Sequence, residues 1–299
     1  MIRSIYLSSL CEALHLNFRG SDICLHGLNL CDRKTVFDKI LSYVTSKKYV
    51  AHVRENKRIA CMVLREDLLQ DYVKEAIGRS ISYILSDEPE KTFYDIHTYL
   101  YKKTDFYEKY DFQAKIGMDC EIDKTAIIQE GAIIGSRVRI GPLSVIRRGS
   151  VIGDDVEIGC HTVIGGEGFQ IIREEGRNRK IVHVGGTTVG AGSSIGDHVV
   201  IANSLFENTT QVGRNVMINN FVHIAHNVVI EDAAVITAGV ILTGGSHIGR
   251  GAWIAPNASV RNKVVIGDKA IVGMGSVVLT DVQAGNIVAG NPAKRLLAK

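Results

Sequence analysis

The stretch INNFVHIAHNVVI, Ile218 to Ile230, sets His223 and His226 three residues apart, with Asn219, Asn220 and Asn227 close by. Imidazole is the side chain whose pKa lies nearest neutral pH. Such a pair can act as a general base, as metal ligands or as plain surface groups. Metal binding is the weaker fit. H-x-x-H supplies two ligands where zinc takes three or four, and the stretch holds no carboxylate or cysteine. The choice between base and surface group depends on the elements that position the pair.

Those elements repeat. Steps of six from Ile116 meet Ile122, Ile128, Ile134, Ile140, Ile146, Ile152, Ile158 and Ile164, all isoleucine. A second run steps by six from Val212 through Ile218, Ile224, Ile230, Ile236 and Leu242 to Val278, and Val189, Ile195 and Ile201 keep the same interval between the runs. Two residues before each of these, from Val222 onward, stands a small or β-branched residue: Val228, Ala234, Val240, Ser246, Ala252. Alternate strand residues share a face, so both members of each pair point inward. A fixed six-residue period then predicts a parallel β-helix, one short strand and one corner per hexad, three hexads per coil. About eight coils at ~4.8 Å each give a prism roughly 40 Å long. In this register His223 lies between two inward residues and points out. His226 falls at the next corner, also outside the core.

The period breaks twice. Between Ile164 and Val189 lies GGEGFQIIREEGRNRKIVHVGG, polar and glycine-rich, read as a loop insertion at 166–182. Between Ile201 and Val212, near NSLFENTT, one residue is missing from the period. Loops on rigid scaffolds often carry function.

The first 113 residues have a different texture. RIACMVL (58–64) and SISYILSD (80–87) read as buried strands, VFDKILSYV (36–44) and VKEAIG (73–78) as helices. TFYDIHTYLYKKTDFYEK (92–109) has helical spacing. The expected organisation is a small α/β nucleotide-binding domain (1–92), a connector helix (93–113), the β-helix (114–282) and a C-terminal tail (283–299). The opening MIRSIYLSSLCEALH reads as the first folded element rather than a signal peptide.

Composition narrows the function. With 35 basic and 32 acidic residues the net charge of +3 is too small to argue for nucleic acid or an anionic membrane. No apolar run approaches the ~20 residues that span a bilayer. Six scattered cysteines without CxxC imply reduced thiols and a cytoplasmic protein. A packed prism with flat faces offers no deep pocket, and small-molecule sites need concavity. The simplest source is the groove between prisms in a homotrimer, whose three-fold symmetry suits a triangular section.

NNFVHIAHNVVI followed by AGVILTGGSHIGR resembles the UDP-3-O-acylglucosamine N-acyltransferase family (LpxD), which makes lipid A precursors. VIGGEGFQ…RKI is similar to that family's GxDGFG…KIP segment. SIYLSSLCEAL, GSDICLHGL, LSYVTSKKYVAHV and PEKTFYDIH resemble its N-terminal domain. The resemblance covers nearly the whole chain. It implies a left-handed β-helix, the handedness coming from the resemblance and not from the period. It also implies that His226 is the base that takes a proton from a substrate amine as the amine attacks a thioester, and that Asn220 lies beside the sugar. Tyr43 and Tyr49 would hold the uracil ring, and stacking would tolerate thymine; packing in the core is their ordinary alternative. For the oxyanion the backbone N–H of Gly244 is the candidate donor.

Three departures shift the reading. The second histidine that the family carries on a later coil is replaced by RNKVVIG, where Lys263 could supply positive charge. His223 stands where glutamine is usual, so two histidines compete for the base role, with His226 favoured. The chain ends GSVVLTDVQAGNIVAGNPAKRLLAK, which resembles the ending of hexapeptide sugar acetyltransferases that use acyl-CoA. Lys294 and Arg295 would then meet CoA phosphates, or be plain solvated cations. The expected activity is an acyl-CoA-dependent N-acyltransferase acting on a UDP- or dTDP-linked amino sugar for surface glycan synthesis, with no metal. The alternative is the lipid A enzyme with acyl carrier protein as donor. O-acylation of a sugar hydroxyl and a non-catalytic scaffold are the further rivals.

Overall fold

The structure is a computed structural model that describes residues 3–33, 35–75 and 79–296. The chain divides into two compact units, one of residues through Glu108 together with Ile171–Ile181, the other of Lys109–Gln170 and Val182 onward.

The second unit is a three-sided parallel β-helix, the fold class that the six-residue period predicts. Face I runs from Lys115–Ile116 to Val265–Ile266, face II from Glu121–Ile122 to Ile271–Val272, and face III from Ile127–Ile128 to Val277–Val278. Every pair within these runs is parallel, as Ile133↔Val151 and His223↔Ile241 illustrate. From Ile134 on, the inward isoleucines and the apolar residues two before them form one continuous core, with Ile224, Leu242, Ala234 and Val240 fully buried, whereas Ile116 in the first coil is 49% exposed. Face II ends in an added strand, Ile287–Ala289, and an antiparallel turn-back, Lys294–Arg295.

Corners turn on left-handed backbone. Gly245 holds φ +71°, but Asn227, Phe221 and Lys263 do so without glycine's freedom.

The regular spacing between stacked corner residues is 18. Val189 nevertheless pairs with Val212, five residues beyond that spacing. The break after Ile201 is therefore not a missing residue but five extra ones, because a lapse of one and a gain of five leave the same six-residue phase. Those extra residues, and the longer excursion before Val189, both leave the prism at the corner between face III and face I. The longer one contains an antiparallel hairpin, Ile171–Glu174 against Arg177–Lys180.

The first unit carries a five-stranded sheet in the order Phe18–Arg19, Ser82–Leu85, Ile59–Leu64, Ile40–Tyr43, Gly27–Leu28, parallel except at its first pair. Residues 36–44 are thus not a helix. Ile40, Leu41, Ser42 and Val44 are all buried, as both faces of a central parallel strand must be, and that run imitated helical spacing. The helix expected at 93–113 is Pro89–Lys103. Proline at its first position starts it, since its missing N–H would be unpaired there anyway. Phe93, Tyr94, Ile96, His97 and Leu100 are buried, so this helix is part of the α/β core rather than a connector. Helix Glu66–Glu75 covers the start of the segment read as helical at 73–78; residues 76–78 lie outside the described residues. In the same unit Arg179 of the hairpin pairs with Asp95 at 2.7 Å and with Glu174 at 2.8 Å. Among the described residues no helix is long and apolar enough to cross a membrane.

Candidate active site

His223 lies on the outer side of face III, between Val200 and Ile241 of the adjacent coils. It is exposed, and partial burial against the prism lowers its pKa.

His226 differs from the expectation. The corner that carries it is covered by the two excursions, and the ring is buried, 8% exposed. Gly185 and Gly186, on the return of the long excursion, donate to Ser204 O at 3.0 Å and Asn208 O at 2.9 Å of the short one. Asn227 ties the short excursion to the corner. Its Oδ1 accepts the Leu205 N–H at 3.2 Å, its Nδ2 donates to Ser204 Oγ, and its N–H donates to Thr210 Oγ1 at 2.9 Å. These contacts orient the amide, so its oxygen is the atom 3.0 Å from His226 Nδ1. Nδ1 must then carry the proton, and Nε2 is the basic nitrogen.

One coil on, a Cβ built on Gly244 would lie 2.9 Å from His226 Nε2 and Cε1. Only glycine lets this backbone come so near the ring. At the corner between faces I and II the N–H at this place in the hexad is capped by the next coil: Ser136 by Asp154 at 2.8 Å, Arg214 by Asp232 at 2.8 Å, Arg250 by Asp268 at 3.0 Å. Among the described residues no acceptor takes the Gly244 N–H. A basic nitrogen and an uncapped backbone donor at one place can, respectively, remove a proton and receive developing negative charge. Lys263 follows at the same edge, its N–H donating to Gly244 O at 3.2 Å.

Within the β-helix, Asn220 and the two tail cations lie apart from this group. Asn220 occupies the corner between faces II and III, one strand before His226, and its Oδ1 caps the Asp197 N–H at 2.8 Å. Lys294 and Arg295 are exposed on the turn-back strand of face II. In the first unit, Tyr43 donates to Glu90 at 2.9 Å and packs its ring on Phe93, centroids 4.9 Å apart. Burial raises its pKa. Tyr49 is half-buried under Lys48, whose Nζ is 4.8 Å from the ring centroid. Among the described residues no ring contact joins Tyr43 to Tyr49. Beside Tyr49's helix opens a cavity of about 580 Å³ lined in part by Arg33, His52, Lys57 and Arg58.

The period gave no sign of His183, on the return of the long excursion. It is 7% exposed, and its ring meets that of His226 edge-on, centroids 5.2 Å apart at 65°. Its only sequence mark is the histidine in KIVHVGG. Among the described residues no three or more His, Cys, Asp or Glu side chains gather as metal ligands would.

Comparison with known proteins agrees with this architecture. The bacterial transferase hexapeptide model (six repeats) matches residues 113–148, 133–166, 209–244 and 245–280. A UDP-3-O-acylglucosamine N-acyltransferase of Pseudomonas syringae pv. tomato is 37% identical over 78 residues, 26% of this chain and 22% of the relative. One of Pseudomonas putida is 42% identical over 66 residues, 22% and 18% of the two chains. The chain therefore spans about a fifth of the length of these relatives. Among solved structures, LpxA of Bacteroides fragilis, a UDP-N-acetylglucosamine acyltransferase, aligns with TM-score 0.55 at 23% identity, covering 63% of this chain and 73% of that one. The UDP-N-acetylglucosamine acyltransferase of Campylobacter jejuni aligns with TM-score 0.54 at 21% identity, covering 61% and 69%. At that identity the likeness is one of fold.

Proposed function

We propose that this chain, built over residues 113–166 and 209–280 from the bacterial transferase hexapeptide, is an N-acyltransferase that moves an acyl group from a thioester to the amino group of a UDP- or dTDP-linked amino sugar. The observation that carries this reading is His226, its Nδ1 3.0 Å from Asn227 Oδ1, with the backbone of Gly244 against its Nε2 side. The amine nitrogen attacks the thioester carbonyl carbon, and negative charge gathers on its oxygen. Gly244 N–H donates to that oxygen, with Lys263 adding positive charge along the same edge. His226 Nε2 takes the amine proton. The C–S bond then breaks, and the proton passes to the leaving thiolate. Such a base contributes about 10²–10⁴-fold in rate.

The nucleotide part belongs, on this reading, to the first unit, at Tyr43 and Tyr49. The adjacent cavity offers Arg33, Lys57 and Arg58 to phosphates, beside the carboxylates of Asp32 and Glu55. Acyl-CoA is the preferred donor, with Lys294 and Arg295 for its phosphates. The assembly is a homotrimer, and the product serves a surface glycan. A second reading is the lipid A enzyme with an acyl carrier protein donor; the names of the relatives matched over 66 to 78 residues support its acceptor, UDP-3-O-acylglucosamine. Asn220, engaged in its own corner cap, reaches substrate on either reading only if the acceptor spans that far.

Thiol release with purified protein, acetyl-CoA or 3-hydroxybutyryl-CoA and a panel of UDP- and dTDP-amino sugars tests this. Amine-dependent release, lost in His226→Ala and largely kept in His223→Ala, is the expected result. Turnover with acyl carrier protein alone would select the second reading. Full turnover in His226→Ala would overturn the mechanism.

A further inference from the structure

We infer that His183 is a positioning residue for His226, delivered by the root of the long excursion. The inference rests on the reading of His226 as the base. An imidazole's second torsion is broad and two-fold, so a buried ring needs contacts to hold one orientation. Three contacts act on His226: Asn227 fixes Nδ1, the Gly244 backbone lies close to Nε2 and Cε1, and the His183 ring packs edge-on at 5.2 Å.

His183 is itself clamped. Asn203 Nδ2 donates to the carbonyl of His183 at 3.3 Å and to that of Gly185 at 3.2 Å, while its Oδ1 accepts the Gly168 N–H at 3.2 Å. One side chain thus pins the outgoing and returning strands of the excursion together. Gly168 lies against the His183 ring, and a Cβ there would run into Nε2 and Cδ2. The glycine of GGEGF is explained by this approach. Removing the His183 ring would open a void of about one imidazole beside the base and let it tilt. A displacement of about 1 Å at a reacting group can cost on the order of 10²-fold in rate.

Two independent readouts test this. The first is steady-state kinetics of His183→Ala, His183→Gln and Gly168→Ala, and of Gly168→Ala combined with His183→Ala. The expected result is a kcat loss of roughly 10–100-fold in His183→Ala with KM little changed, partly restored in His183→Gln, which refills most of the volume. Gly168→Ala should lower kcat alone and add nothing once His183 is alanine, because the obstructing ring is gone. The second readout needs no turnover. Nitrogen-15 spectra of histidine-labelled protein should show the Nδ1–H tautomer of His226, displaced toward a mixture in His183→Ala. Unmoved His226 signals, or a Gly168→Ala loss that is fully additive with that of His183→Ala, would overturn the positioning role. Full turnover in His226→Ala would instead sink the base assignment while leaving the spectra to judge the contact.

Discussion

His226 Nδ1 lies 3.0 Å from Asn227 Oδ1, an oxygen that also takes the Leu205 N–H. The two residues are sequence neighbours, yet the relationship depends on the short excursion, since Leu205 and Ser204 orient the amide. Asn227 holds φ +61°, so Asn227→Gly keeps the corner and deletes the anchor. That variant should lose about 10–100-fold in kcat with little change in KM. Asn227→Asp places a carboxylate against the ring and favours the imidazolium. The acid limb of its kcat/KM profile should move to higher pH, because the base stays protonated further up the scale.

Gly244→Ala should damage activity far more than stability. Its Cβ would lie 2.9 Å from two atoms of the His226 ring, which must shift. Thiol release should fall by about 10²-fold or more, while the melting temperature changes far less than for a core truncation. A variant with wild-type turnover would remove Gly244 from the site.

His223 makes stability depend on pH in one direction. Burial lowers its folded pKa below the ordinary imidazole value, so the unfolded chain takes up the proton first. Its contribution is present above about pH 6.5 and is lost as pH falls from there toward the folded pKa. Urea unfolding at a series of pH values should show a shallower acid-side loss in His223→Gln than in wild type.

Neighbouring residues on one strand should differ sharply. Leu242 is fully buried and Ile241 is 43% exposed on the outer face. Leu242→Ala should cost about 2–5 kcal/mol by denaturant unfolding, from lost burial and the cavity left behind. Ile241→Ala should stay within about 1 kcal/mol. Equal losses would contradict the in-and-out register.

The six-residue period determines which side chains face the prism interior, because strand alternation is a local property: each isoleucine and the small residue two before it must share a face. Thus Ile224, Leu242 and Val240 were legible as core from the chain alone, and so was His223 as outward. The strand Ile40–Tyr43 was not. Its buried run fits either periodicity, and only the neighbouring strands, which cover both its sides, decide between them. The phase of the repeat likewise could not tell one residue lost after Ile201 from five gained. The burial of His226 and the approach of His183 belong to tertiary structure alone. They arise because both excursions return to the corner between faces III and I, and where a polar loop returns is set by contacts between distant residues, such as Asn203 with Gly168 and His183, that no local pattern encodes.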